Sequence, residues 1–83
     1  MTVDDVKRRR TEDADRLCKA LGTSKMFLFD PLMSFALGYP CIYPEYVERF
    51  LAARGHLKDG ESIRECLERV YGKDVAELAE SLI

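Results

Sequence analysis

The residues best suited to chemistry in this 83-residue chain are three cysteines and one histidine. They are Cys18, Cys41, His56 and Cys66. A cysteine nucleophile needs a nearby base or a helix N-terminus to lower the pKa of its thiol. The single histidine comes directly after a predicted helix end, and nothing in the sequence orients it toward a thiol. We therefore expect no catalytic residues and no enzyme activity.

The same four residues are also the types that bind zinc. No two of them show the short C-x₂₋₄-C spacing that is typical of zinc sites. Cys18 and Cys66 fall on or beside apolar helix faces, where a free cysteine packs as a small hydrophobic residue. We predict no metal and no cofactor, so a metal- or thiol-dependent enzyme is the third and weakest hypothesis.

A basic run in the first predicted helix is the most conspicuous charged feature. It consists of Lys7, Arg8, Arg9 and Arg10. Such a run could bind phosphates, because each neutralised phosphate adds affinity through counterion release. Acidic residues precede several of these cations by four positions, however, as Asp4 precedes Arg8 and Asp5 precedes Arg9. That spacing is typical of a solvated, ion-paired helix face.

The second candidate site is a proline-stiffened, tyrosine-rich segment. Its predicted partner-binding residues are Tyr39, Cys41, Tyr43 and Tyr46, interleaved with Pro40 and Pro44. Tyrosine is enriched at interface hot spots, and prolines reduce the entropy lost on binding. The alternative is that these tyrosines pack on the core, as half-buried tyrosines commonly do in small domains.

Helices must position both candidate sites, because helical periodicity runs along most of the chain. Thr2 with Asp5 predicts a capped start for a helix from about Val3 to Leu21. Ser62 with Glu65 has the spacing of a second capping box, and Asp74 is the expected cap of the last helix. Predicted helix ends carry glycine: Gly22, Gly38, Gly55 and Gly72. This pattern predicts an all-α fold, a small orthogonal bundle of five to six short helices in one domain spanning residues 1–83.

Two apolar stretches lie between the first helix and the tyrosine segment. Met26 to Phe29 is read as a short helical turn, because a lone strand would have nothing to pair with. Asp30-Pro31 starts the next helix, which is apolar nearly all round and is therefore expected in the middle of the fold. The predicted core residues are Leu17, Leu21, Phe27, Phe35, Phe50, Leu51, Ile63, Leu67, Val70 and Leu78.

The composition narrows the class of protein and its partners. The net charge of -2 and pI near 5.4 are unusual for a dedicated nucleic-acid binder. Proline, glycine and aspartate interrupt the most apolar region, which predicts no membrane span. Odd, widely spaced cysteines and no recognisable signal peptide indicate a reducing, cytoplasmic location.

These observations favour a small non-enzymatic protein-binding module. Such a module would act as a regulator, adaptor or inhibitor that occludes a larger protein, and homo-oligomers are also possible for so short a chain. The alternative is a nucleic-acid-associated helical protein that uses Lys7–Arg10. Salt separates the two hypotheses, because phosphate binding weakens steeply as salt rises.

Overall fold

A computed structural model describes residues 2–83 as a bundle of five α-helices. They are α1 (Val3–Leu21), α2 (Pro31–Leu37), α3 (Pro44–Ala53), α4 (Ile63–Val70) and α5 (Lys73–Ser81), with a 3₁₀ turn at Lys25–Phe27. The only strand-like pairing in this range is an isolated antiparallel bridge between Phe29 and Ile42. The predicted all-α class is confirmed. None of the described helices has both the length and the apolar character needed to cross a membrane.

The helix starts follow local capping chemistry. At the start of α1, the Thr2 hydroxyl accepts a hydrogen bond from the Asp5 amide and the Asp5 carboxylate accepts one from the Thr2 amide, both at 3.2 Å. The Ser62 hydroxyl likewise accepts from the Glu65 amide at 3.1 Å before α4. The expectation that Asp74 caps the last helix is wrong. Gly72 is the N-cap instead, because its positive φ of 109°, which favours glycine, turns the chain directly from α4 into α5.

The core lies where α5 packs against α1 and α4, and α3 packs against α4. Of the predicted core residues, Leu17, Leu21, Leu51 and Leu67 are buried. Four more pack at its edge and are partly buried: Phe50, Ile63, Val70 and Leu78. Small residues fill the close contacts between the helices, with Ala14, Cys66 and Ala76 fully buried.

Two predicted core residues are wrong, because Phe27 is 57% exposed and Phe35 is 90% exposed. Helix α2 contributes no buried residue and does not lie in the middle of the fold. Leu28, Phe29 and Ile42 are the residues of this region that belong to the core instead. The stretch from Met26 is therefore helical only as far as Phe27; it then extends to pair with the tyrosine segment.

An ion pair fastens the loop between α3 and α4. The Glu61 carboxylate accepts hydrogen bonds from Arg69 Nε at 2.9 Å and Nη2 at 2.8 Å, and from the Lys58 amide at 3.2 Å. Arg69 also donates to the His56 carbonyl, so one guanidinium holds both ends of the loop. The hydrogen bonds from Arg69 lower the pKa of the Glu61 carboxyl from 4.5 to about 2.

We expect the contribution of Glu61 to stability to disappear in acid. Because its pKa is lower in the folded chain than in the unfolded chain, the contribution is complete above about pH 5 and is lost as the pH falls toward 2. Thermal unfolding of wild type and Glu61→Gln between pH 7 and pH 2 measures this. The two midpoints should differ at neutral pH and converge in acid, whereas Glu48→Gln, on the exposed side of α3, should match wild type at neutral pH. A Glu61→Gln difference that stays constant to pH 2 would contradict the assignment.

Candidate protein-binding surface

The tyrosine segment is held to the rest of the fold by backbone hydrogen bonds. The Ile42 amide donates to the Leu82 carbonyl at 2.9 Å, and the Tyr43 amide donates to the Leu28 carbonyl at 3.0 Å. The Cys41 carbonyl accepts from the Asp30 amide at 2.9 Å. Tyr39, Cys41, Tyr43 and Tyr46 are each half-buried. The segment is therefore a fixed strap across the bundle rather than a free loop.

Arg10 connects the basic run of α1 with the tyrosine segment, which the sequence predicts as two separate sites. Its guanidinium donates to the carbonyls of Pro40 at 3.2 Å, Ser81 at 3.1 Å and Leu82 at 3.1 Å. It also lies over the Tyr39 ring, 4.5 Å from the ring centre. The carbonyls of Ser81 and Leu82 come from the C-terminal end of α5, where carbonyls without a partner inside the helix and the helix dipole attract a cation. Arg10 is therefore half-buried between α1, the tyrosine segment and the end of α5.

The other three cations of the run are distributed around α1. Lys7 Nζ lies beside Gly38, 3.0 Å from where a β-carbon on that glycine would stand. Arg8 pairs with Asp5 at 3.1 Å, and Arg9 is exposed to solvent. Successive residues of a helix point about 100° apart, so these side chains do not converge on one phosphate.

Two of the three cysteines lie in environments that favour the neutral thiol. Cys18 and Cys66 are buried, and burial raises the pKa of each thiol. The Cys66 thiol donates to the His56 carbonyl at 3.4 Å, so it is the backbone of His56 that it contacts. Cys41 is partly exposed and unpaired. Residues 2–83 contain no group of three or more histidine, cysteine, aspartate or glutamate side chains placed to hold a metal ion.

A groove of about 600 Å³ separates the 3₁₀ turn from α3. We call it the Phe27–Phe50 groove, and its lining residues are Thr23, Met26, Phe27, Tyr46, Arg49, Phe50, Ala53 and Arg54. Its volume is within the usual range for ligand-binding clefts. Arg54 lies over the Phe50 ring at 4.8 Å from the ring centre and donates to the Gly22 carbonyl, which fixes one end of the groove.

Tyr46 is the predicted site residue that belongs to this groove. The Tyr43 ring packs edge-on against it with ring centres 4.7 Å apart, so Tyr43 supports Tyr46 from behind. The negative charge of Glu45 is the main cause that raises the pKa of the Tyr43 hydroxyl, which stays protonated at neutral pH. Tyr39 lies in a second, smaller groove between the 3₁₀ turn and α2, and Met26 borders both grooves.

The outward face of α2 is the surface feature that the sequence did not predict. The Ser34 hydroxyl accepts a hydrogen bond from the Cys41 amide at 3.0 Å, so the single polar side chain of this helix points toward the bundle. Leu32 is 81% exposed, Met33 48% and Phe35 90%. This arrangement reverses the usual amphipathic helix. In the sequence, the only indication of this exposed face is Ser34, the single polar residue of a seven-residue apolar helix.

Comparison with known proteins finds no match: no family model, no curated protein and no solved structure is similar to this chain.

Proposed function

We propose that this chain is a non-enzymatic protein-binding module that holds an acidic amphipathic helix of its partner in the Phe27–Phe50 groove. In this role it would regulate, adapt or inhibit a larger protein by covering part of that protein's surface. The three unpaired cysteines support action in a reducing compartment such as the cytoplasm.

The proposal rests on the lining of this groove, which combines aromatic side chains with two arginines. Phe27, Tyr46 and Phe50 supply large apolar area with little side-chain entropy to lose, which is the composition of interface hot spots. Arg49 and Arg54 lie among the lining residues, and no acidic residue of the described range is among them. A helix that places apolar residues at i, i+3, i+4 and i+7 with carboxylates at its flanks complements both features.

Neighbouring contacts support a preformed groove. Arg54 is held by the Gly22 carbonyl and the Phe50 ring, and Tyr46 is held by Tyr43. Side chains fixed before binding lose less entropy on complex formation. The Lys7–Arg10 run supports nucleic-acid binding less well, because Arg10 and Arg8 already have partners in the fold and the side chains diverge.

Designed peptides provide the test. The probe is a fluorescent amphipathic helical peptide with leucines at i, i+3, i+4 and i+7 and glutamates at the flanks; the control peptide has lysines in place of the glutamates. We expect the acidic peptide to bind at least about tenfold more tightly, since favourable and unfavourable charge contacts differ by more than about 1.4 kcal/mol. Phe27→Asp should remove that binding, and Arg49→Glu should reduce the preference for the acidic peptide.

Three results would count against the proposal. They are equal affinity for both peptides, acidic-peptide binding unchanged in Phe27→Asp, and amide chemical-shift changes on the face opposite the groove. A fluorescent DNA duplex tests the alternative in parallel. Duplex binding that weakens steeply with salt, and that is lost when Lys7, Arg8 and Arg9 become alanine, would favour the nucleic-acid function instead.

A further inference from the structure

The outer face of α2 presents a continuous apolar surface without charge. At about 100° per residue, Leu32 and the exposed Ala36 lie opposite Ser34, and Met33 and Phe35 border them on either side. Helix α2 contains no charged residue, and within residues 2–83 it packs closely against no other helix. Met26, 75% exposed, extends this surface across the groove that it shares with Phe35. We call Met26, Leu32, Met33 and Phe35 the α2 patch.

The area of the α2 patch is large for a free surface of so small a chain. A large apolar side chain offers on the order of 200 Å² when fully free, so the exposed fractions of these four residues correspond to about 600 Å². The largest apolar patch of a typical monomer is about 300–600 Å², whereas each side of a standard protein interface buries about 800 Å². With the rim around it, the α2 patch is large enough for one side of a modest dimer interface.

The charges at the two ends of α2 have opposite sign. Asp30 caps its N-terminus through hydrogen bonds from the Leu32 amide at 3.0 Å and the Met33 amide at 3.1 Å. The ammonium group of Lys7 lies beside Gly38, at the C-terminal end. If two such helices pair antiparallel across a two-fold axis, the acidic end of each meets the basic end of the other. The two helix dipoles are then antiparallel, which is the electrostatically favourable arrangement.

We infer that the α2 patch is a self-association surface on which a second copy of this chain docks, with the two α2 helices antiparallel across a two-fold axis. A two-fold interface must complement itself, and a charge on its axis would face its own copy. The α2 patch satisfies this condition because its centre is apolar and its opposite charges lie at its two ends. The Phe27–Phe50 groove shares only Met26 with the α2 patch, so its other lining residues stay available in the dimer for the binding proposed above.

Sedimentation analysis of the full chain over a concentration series tests the inference. We expect wild type to change from monomer to dimer in the micromolar range, and Phe35→Asp to weaken the association at least about a hundredfold. Phe35 is 90% exposed, so this variant should keep the wild-type circular dichroism spectrum. Phe27→Asp is the matched control: it places the same charge on an exposed phenylalanine outside the α2 patch, and it should dimerise like wild type.

The antiparallel arrangement has its own variant. Lys7→Glu places a carboxylate opposite Asp30 of the second copy, so it should weaken dimerisation about tenfold at low salt and less at high salt. A wild type that stays monomeric at millimolar concentration would overturn the inference, as would equal effects of Phe35→Asp and Phe27→Asp. Unchanged dimerisation of Lys7→Glu would overturn the antiparallel pairing. The acidic peptide should still bind Phe35→Asp, so the two proposals fail independently.

Discussion

Leu17→Ala is expected to lower the free energy of unfolding by about 2–5 kcal/mol. Leu17 has no exposed surface, and it lies on α1 where that helix enters the core. Removing its side chain loses the free energy of burial and leaves a cavity between close-packed helices, which the backbone cannot fully close. A chain of this size has a total stability on the order of 5 kcal/mol, so the variant should retain at most about 3 kcal/mol and unfold at a much lower urea concentration than wild type.

Leu32→Ala is the matched control, since it makes the same chemical change at a position that is 81% exposed. It should change the free energy of unfolding by no more than about 0.5 kcal/mol. Urea titrations of both variants measure this, at a protein concentration low enough to keep the chain monomeric. Equal losses for the two leucines would show that α2 packs into the core, and would contradict the surface described above.

Arg10→Ala is expected to cost about 1–2 kcal/mol, an unusually large effect for an arginine that is not fully buried. Three backbone carbonyls lose a charged donor at once: those of Pro40, Ser81 and Leu82. The contact with the Tyr39 ring is lost as well. Because the planar guanidinium reaches several acceptors in fixed directions, Arg10→Lys should recover only a small part of the loss.

Arg8→Ala is the control on the same helix, since Arg8 makes only an exposed ion pair with Asp5. Pairs of this kind contribute little, so its midpoint of urea unfolding should stay near that of wild type. If Arg10→Lys were as stable as wild type, the charge alone would account for the effect. If Arg10→Ala and Arg8→Ala behaved alike, the strap would not depend on Arg10.

The sequence alone predicts the features that depend on contacts between residues a few positions apart. The Thr2 capping box, the Asp30-Pro31 start of α2 and the left-handed Gly22 depend only on local chemistry, and each is found as predicted. Asp74 was assigned wrongly because glycine and aspartate are both acceptable at a helix start. The short connection between α4 and α5 requires the positive φ of a glycine at the helix start, which makes Gly72 the N-cap.

Features that depend on distant contacts could not be predicted from the sequence. Leu28 and Phe29 resemble their neighbour Phe27 in composition, yet the first two are buried and the last is exposed. The difference comes from the bridge between Phe29 and Ile42, which is a pairing across thirteen positions of chain. Apolar composition likewise placed α2 in the core, because periodicity shows which face is apolar and does not show what covers it.

The bonds of Arg10 also bear on the order in which the chain folds. Its acceptors are 30, 71 and 72 residues away along the sequence, whereas the bonds within each helix span only a few residues. Bonds between such distant residues carry a large loop-closure entropy, and they form only after α5 and the strap have reached their places. The buried residues of α1 begin at Ala14, so little else ties its first three turns to the bundle. We therefore expect that half of α1 to dock last, and Arg10→Ala to speed unfolding while leaving the rate of folding almost unchanged.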